Sequence, residues 1–147
     1  MRLVVQRVTR ASVRSADEVL GEIGVGAMVL VGIGREDDSD TVDRMADRLI
    51  QLRYFRDDEG RTNLAAADAG GSYLVVSQFT LYADTSRGRR PGFTGAAAPE
   101  IAEELVRRFS GRLRAAGFSV ETGRFGAEMQ VELVNDGPFT LTLDSQK

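Results

Sequence analysis

The 147-residue chain has no histidine, no cysteine and no tryptophan, only three prolines, and Lys147 as its single lysine. Each absence closes off a class of function. Without cysteine there is no disulfide, no thiolate nucleophile and no thiolate metal site, and without histidine the commonest general base and the imidazole ligand are gone. Only oxygen-donor metal sites remain open, and neither a structural metal nor a cofactor is expected. Gly32-Ile33-Gly34 is too short and wrongly followed for a dinucleotide fingerprint, and no Gly-Lys-Ser/Thr phosphate loop occurs. No uninterrupted apolar run approaches the roughly 20 residues of a membrane span. Met1-Arg2-Leu3-Val4-Val5 passes straight into Gln6-Arg7 without a signal-peptide core, so a cytoplasmic protein is expected.

What is present is a 42% hydrophobic composition, enough for the core of one compact domain spanning residues 1–147. The formal charge of -3 argues against a generally basic protein that coats nucleic acid. Charge distribution is more informative than its sum. Arg87, Arg89 and Arg90 cluster in the Gly/Pro-containing stretch Thr85–Gly92, which reads either as a solvated loop or as a phosphate contact, because guanidinium forks suit phosphate oxygens.

Apolar and β-branched runs predict strands over Arg2–Val8, Val19–Ile23, Ala27–Ile33 and a long Tyr73–Tyr82, then Ser119–Thr122, Met129–Val134 and Phe139–Leu143. A first helix capped by Ser39 or Asp40 carries Val42, Met45, Ala46, Leu49 and Ile50 at helical spacing and ends near Arg53. A second has Pro99 in its first turn, Gly117 just beyond its end and an expected buried stripe of Ile101, Leu105, Phe109 and Leu113. Asp84–Gly95 holds too much Gly, Arg and Pro to be regular. The order implies a mixed α/β domain with helices on the outer side of its sheets.

Two short segments stand out for chemistry. In an extended strand Ser77 and Phe79 face one way and Gln78 and Thr80 the other, so they converge only where the strand ends or bulges. If it does so, hydroxyls, an amide and free backbone N–H groups meet at one spot, as oxyanion stabilisation requires. Thr80 as a nucleophile would need a base, and only carboxylates such as Asp84 and Asp136 are near in sequence. The second segment, Asn135-Asp136-Gly137-Pro138, is a turn whose Gly-Pro bond is able to present two carbonyls side by side if it is cis. Its composition alone fits an ordinary trans turn equally well.

These segments carry a resemblance. Val4-Val5-Gln6-Arg7-Val8, Gly21-Glu22-Ile23-Gly24, Leu52-Arg53-Tyr54-Phe55, Val76-Ser77-Gln78-Phe79-Thr80-Leu81-Tyr82, Arg90-Pro91, Phe125-Gly126-Ala127 and Asn135-Asp136-Gly137-Pro138 strongly resemble the bacterial D-aminoacyl-tRNA deacylases, nearly end to end. The resemblance implies a single mixed α/β domain with strongly curved, barrel-like antiparallel and mixed sheets and two main helices packed outside. It implies a homodimeric hydrolase of the ester between a D-amino acid and tRNA, a proofreading activity in translation. A cis Gly137-Pro138 turn would enter the partner subunit's active site and reject L substrates, while glycyl-tRNA would be admitted.

Carried over residue by residue, Ser77, Gln78, Phe79 and Thr80 form the catalytic pocket, with the Phe79 N–H as oxyanion donor. Arg7 supports the Gly-Pro turn, and Phe125 and Met129 wall the pocket; with tRNA as the substrate, the phosphate-contact reading of Arg87, Arg89 and Arg90 makes them candidate tRNA contacts. The substrate's own ribose hydroxyl helping to activate water is preferred over a covalent Thr80 intermediate, which suits a chain without histidine. Three positions depart from the family pattern: Phe139 stands where valine is usual, Arg89 where asparagine is common and Ala83 where glycine is common. Two competing readings are a non-catalytic RNA-binding dimer built on the arginine loop and a small-ester hydrolase using Thr80.

Overall fold

The continuous apolar runs within Gly26–Gly32 and Ser72–Ser77 are buried on both faces. The computed structural model describes residues 1–86 and 88–146. Its elements are β1 (Arg2–Ser15), β2 (Glu18–Ile23), β3 (Gly26–Gly32), α1 (Ser39–Gln51), β4 (Arg53–Arg56), β5 (Thr62–Ala65), β6 (Ser72–Ser77), α2 (Pro99–Ala115), β7 (Val120–Thr122) and β8 (Gln130–Asp144). The main sheet runs β2-β1-β3-β6-β7, with β8 along the other edge of β1 and β4-β5 as a separate hairpin. Pairing is antiparallel around β1 and parallel for β3-β6 and β6-β7. The sheet curls until β2 nears β7. A Cβ on Gly21 would lie 3.0 Å from Glu121 Cβ, so glycine there permits the close approach that nearly closes a barrel.

On β3, Ala27, Val29 and Val31 face the helices while Met28 faces the barrel interior; on β6, Tyr73 and Val75 contrast with Leu74 and Val76 in the same way. This period of two divides the apolar residues between an interior core and a helix-covered core. Each fully buried aliphatic side chain contributes about 1.5–3 kcal/mol to holding the sheet in this shape. The helices are latched to each other by Arg108–Asp43 and Arg112–Asp47, each a two-pronged pair at 2.7–2.9 Å. Among the described residues no helix is long and apolar enough to cross a membrane.

Several expectations need correction. Asp38, rather than Ser39 or Asp40, caps α1, its carboxylate accepting the Thr41 N–H at 2.8 Å. In α2 the buried stripe is Ala102, Leu105, Phe109 and Leu113, and Ile101 is exposed. At 3.6 residues per turn Ala102 falls on the same side of Leu105 as Phe109 and Leu113, and Ile101 on the other. β1 continues to Ser15 because β2 and β8 both extend its ladder. The Tyr73–Tyr82 strand stops at Ser77. There β3 runs out of partners, and the chain curls over it as a 3-10 turn, Phe79–Tyr82. Glycine at position 32 makes that curl possible, since a Cβ there would meet Gln78 O and Leu81 Cβ at 3.0 Å. Finally, the strands expected over Met129–Val134 and Phe139–Leu143 fall, Met129 apart, in one strand, β8, interrupted by an outward bulge at the Gly-Pro segment.

Candidate functional site

The end of β6 and the 3-10 turn form one wall of a cavity of about 520 Å³. Ser77, Gln78 and Phe79 line it, together with Phe93 and Ala97 from the approach to α2, Ala102 from α2 itself, and Phe125, Met129 and Val131 from the segment before and into β8. The lining is mostly apolar with a few polar groups at one place, the usual make-up of a small-molecule site. Phe79 is 57% exposed and meets Phe93 edge-on at 5.0 Å between ring centroids.

The first N–H groups of any helical turn have no partner within it. Here these belong to Phe79 and Thr80, which donate to no acceptor among the described residues, whereas Gln78 N–H is taken by Val31 O at 2.7 Å. Two adjacent donors are therefore unpaired at the start of the turn, and the one on Phe79, which lines the cavity, suits a developing oxyanion. Thr80 itself is exposed and lies outside the cavity lining. Its hydroxyl accepts a short hydrogen bond from the Gln78 amide N–H₂, a group that cannot take up a proton. Neither carboxylate considered as a base serves it. Hydrogen bonding from the Ser86 side chain and from its N–H holds the Asp84 carboxyl below the usual range, and Asp136 is committed to arginines.

Behind the turn, Arg2 donates to Leu81 O at 2.8 Å and lies over the Tyr82 ring, while Tyr82 OH donates to Asp37 at 3.3 Å. Burial and the Asp37 carboxylate hold the Tyr82 phenol well above its ordinary range, so it remains a donor. Gly34 makes room for the Tyr82 ring, since a Cβ there would come within 2.6 Å of its hydroxyl.

The second segment is built by register. β1 pairs Val8 with Asn135 but Gln6 with Thr140, so two steps along β1 are matched by five along β8. The surplus, around Asp136-Gly137-Pro138, bulges outward, and its Gly137-Pro138 bond is cis. Arg7 follows Leu3 and Val5 on the buried face of β1 and is only 2% exposed. It donates to Asp136 O at 3.1 Å and Tyr54 O at 2.6 Å, pairs with the Asp136 carboxylate at 2.9 Å, and lies 4.8 Å from the Phe139 ring centre. Asn135 donates to Arg7 O and Phe139 O, and Arg56 donates to Gly137 O at 3.2 Å. The larger ring of Phe139 repacks behind the turn, stacked on Tyr54.

The structure thus brings Ser77, Gln78, Phe79, Phe125 and Met129 together and unites Arg7 with Gly137-Pro138. It does not join the two groups within one chain, since neither Gly137 nor Pro138 lines the cavity. Arg89 and Arg90 are exposed on a loop closed by paired hydrogen bonds between Asp84 and Gly92, and neither lines the cavity; Arg87 lies outside the described residues. Sequence reasoning missed Arg56, Phe93 and Asn135's double role. Arg56 is separated from Gly137 by some eighty positions, and no local pattern links them; the Phe93 aromatic, just past the arginine run, was a signal that could have been used. Among the described residues no group of three acidic side chains is placed to hold a metal.

A protein-family model described as D-Tyr-tRNA(Tyr) deacylase matches residues 4–144. A D-aminoacyl-tRNA deacylase of Symbiobacterium thermophilum is 57% identical over 147 residues, covering 100% of this chain and 97% of that one. Its counterpart in Roseiflexus sp. is 58% identical over 145 residues, covering 99% and 94%. Of solved structures, one described as c-Myc DNA Unwinding Element Binding Protein superposes with a TM-score of 0.92 at 39% identity, covering 98% of each chain. Another, a probable eukaryotic D-amino acid tRNA deacylase, gives 0.84 at 18% identity over 97% of each, a likeness of fold alone.

Proposed function

We propose, from the premise that this chain belongs to the D-Tyr-tRNA(Tyr) deacylase family and is a D-aminoacyl-tRNA deacylase, that its cavity holds the scissile ester against the Phe79–Tyr82 turn. The observation that carries this reading is the unpaired N–H of Phe79, a residue that lines the polar end of an otherwise apolar cavity, with the unpaired Thr80 N–H next to it in the turn. Water attacks the ester carbonyl, the C–O bond to the ribose breaks, and the free amino acid and tRNA leave. The oxyanion formed on the way is met by the turn's donors, each such donor being worth about 2.7–4 kcal/mol in the transition state. The neighbouring ribose hydroxyl assists the proton transfers, because the chain supplies no imidazole and its Thr80 hydroxyl faces an amide donor. No metal takes part.

Chirality is read by Gly137-Pro138. In this reading two copies form a homodimer, and the bulge of each reaches the other's cavity. Two features support it: the bulge does not line the cavity within its own chain, and Phe79 and Val131 leave apolar surface exposed at the cavity. The rigid backbone occupies the space an L side chain needs, so selectivity comes from exclusion. Glycine has nothing to exclude, and glycyl-tRNA is a second substrate. The enzyme therefore removes wrongly charged amino acids before translation uses them, in the cytoplasm where charged tRNA is found.

The test is hydrolysis of matched D-tyrosyl-tRNA and L-tyrosyl-tRNA with chelator present, beside Gly137→Ala. The expected result is D cleavage at least about a hundredfold faster than L. The variant, whose new methyl presses on Asn135 Oδ1 at 3.1 Å, should lose much of the D activity while staying folded. Equal cleavage of both isomers, or full activity in the variant, would remove the turn from the mechanism.

A further inference from the structure

A second hollow of about 210 Å³ lies between α2 and the β6–β7 edge and meets the first cavity at Ser77 and Phe125. Its lining differs in chemistry. Arg107, Arg114, Glu103 and the buried Ser110 come from one stripe of α2, where the first cavity is mostly apolar. The four arginines of α2 divide into two pairs. Arg108 and Arg112 are locked onto Asp43 and Asp47 of α1, whereas Arg107 and Arg114 pair with no carboxylate among the described residues. Arg114 uses one nitrogen to hold Val120 O at 2.9 Å, which fixes its guanidinium at the rim of the hollow.

Two guanidinium groups without a carboxylate partner among the described residues, in a polar groove continuous with an apolar cavity, suit a ligand with an apolar end and an anionic continuation. In a chain of net charge -3, a polyanionic substrate must be met by such local positive sites rather than by the overall field. Resting on the reading above, in which the cavity holds the aminoacylated terminal nucleoside, we infer that this groove binds the phosphodiester linking that nucleoside to the preceding nucleotide. Arg107 supplies the main contact, Arg114 a pre-positioned second, and Glu103 sets an opposing charge that limits product retention. The loop residues Arg89 and Arg90 line neither hollow and so cannot substitute for this contact.

The experiment compares two D-tyrosyl esters, one on full-length tRNA and one on adenosine alone, which lacks any phosphodiester. Arg107→Ala should raise KM for the tRNA ester about tenfold, as loss of a charge-assisted contact does, with kcat little changed. It should leave KM for the adenosine ester as in wild type. Glu103→Gln should lower KM for the tRNA ester only. The salt dependence of KM on tRNA should weaken by about 0.7 in log–log slope in the arginine variant, one single-strand phosphate contact. An unchanged KM on tRNA, or an equal rise on both esters, overturns the subsite while leaving the deacylase reading intact. If wild type cleaves neither ester, the reading of the cavity fails and takes the groove with it.

Discussion

The Gly137-Pro138 bulge and the Phe79–Tyr82 turn are both short departures from a strand, yet they are held in opposite ways. The bulge is gripped by side chains: Arg7 from β1, Arg56 from β4, and Asn135 and Phe139 from its own flanks. The Phe79–Tyr82 turn is left largely to its backbone, curling over Gly32 and Gly34, with Arg2 and Tyr82 bracing it from behind. The difference fits the roles proposed for each. A surface that discriminates by exclusion must not yield, so its orientation is over-determined. Donors that meet a developing charge need only be unpaired and correctly aimed, which the start of any helical turn provides.

Breaking the bulge's grip should produce the largest effect. Arg7→Ala leaves Tyr54 O and Asp136 O without their donor and removes a buried cation between them. Breaking a buried pair costs about 3–5 kcal/mol, and the partly exposed Asp136 places this case near the lower end, about 3 kcal/mol. Urea unfolding should show that loss, and D-tyrosyl-tRNA cleavage should fall with it even at temperatures where the variant is folded. A variant as stable as wild type would mean that the bulge is held by its own turn residues instead.

A milder intervention sharpens the same point. Phe139→Val restores the residue usual in the family and removes the ring between Arg7 and Tyr54. The lost packing and cation–ring contact should cost about 1–2 kcal/mol, while Asn135, Arg7 and Arg56 keep the turn in place. D-over-L selectivity should therefore survive with a Tm lowered by several degrees. Loss of selectivity at unchanged stability would show that the ring itself positions the turn.

How much of this was legible in the sequence depended on whether a feature was local. Helix positions such as Val42, Met45 and Leu49, or Leu105, Phe109 and Leu113, follow from spacing alone and are buried as expected. Ser77–Phe79 could be singled out because hydroxyl and amide groups end an apolar run, and they do line the cavity. The turn after Ser77 could not, because it depends on β3 ending beside it and on Gly32 and Gly34 lying beneath, a tertiary fact about parallel neighbours. The continuity of β8 was hidden for a similar reason: Gly-Pro normally ends a strand, and only the pairing of β1 with both flanks carries the ladder across. Arg56 reaches Gly137 O from the β4–β5 hairpin, a pair of strands absent from those that the apolar runs predict. Arg7 was placed by resemblance, whereas its burial and its several partners are properties of the folded β1 face.

The smallest expected effect concerns the other side of the comparison. If the catalytic turn works through its backbone, Thr80 contributes a hydrogen bond that steadies Gln78, and Thr80→Val removes that bond without moving the Phe79 and Thr80 N–H groups. A neutral hydrogen bond is worth about 1 kcal/mol, so kcat on D-tyrosyl-tRNA should fall about fivefold with KM nearly unchanged. A covalent intermediate on Thr80 would behave differently: its loss would abolish turnover, since no other hydroxyl stands in the same place to replace it. Single-turnover kinetics separate the two without ambiguity, because only a covalent route releases tRNA in a burst ahead of the amino acid. A burst in wild type, together with an inert Thr80→Val, would make the turn a nucleophile's platform and erase the contrast between a side-chain-held filter and a backbone-built catalyst.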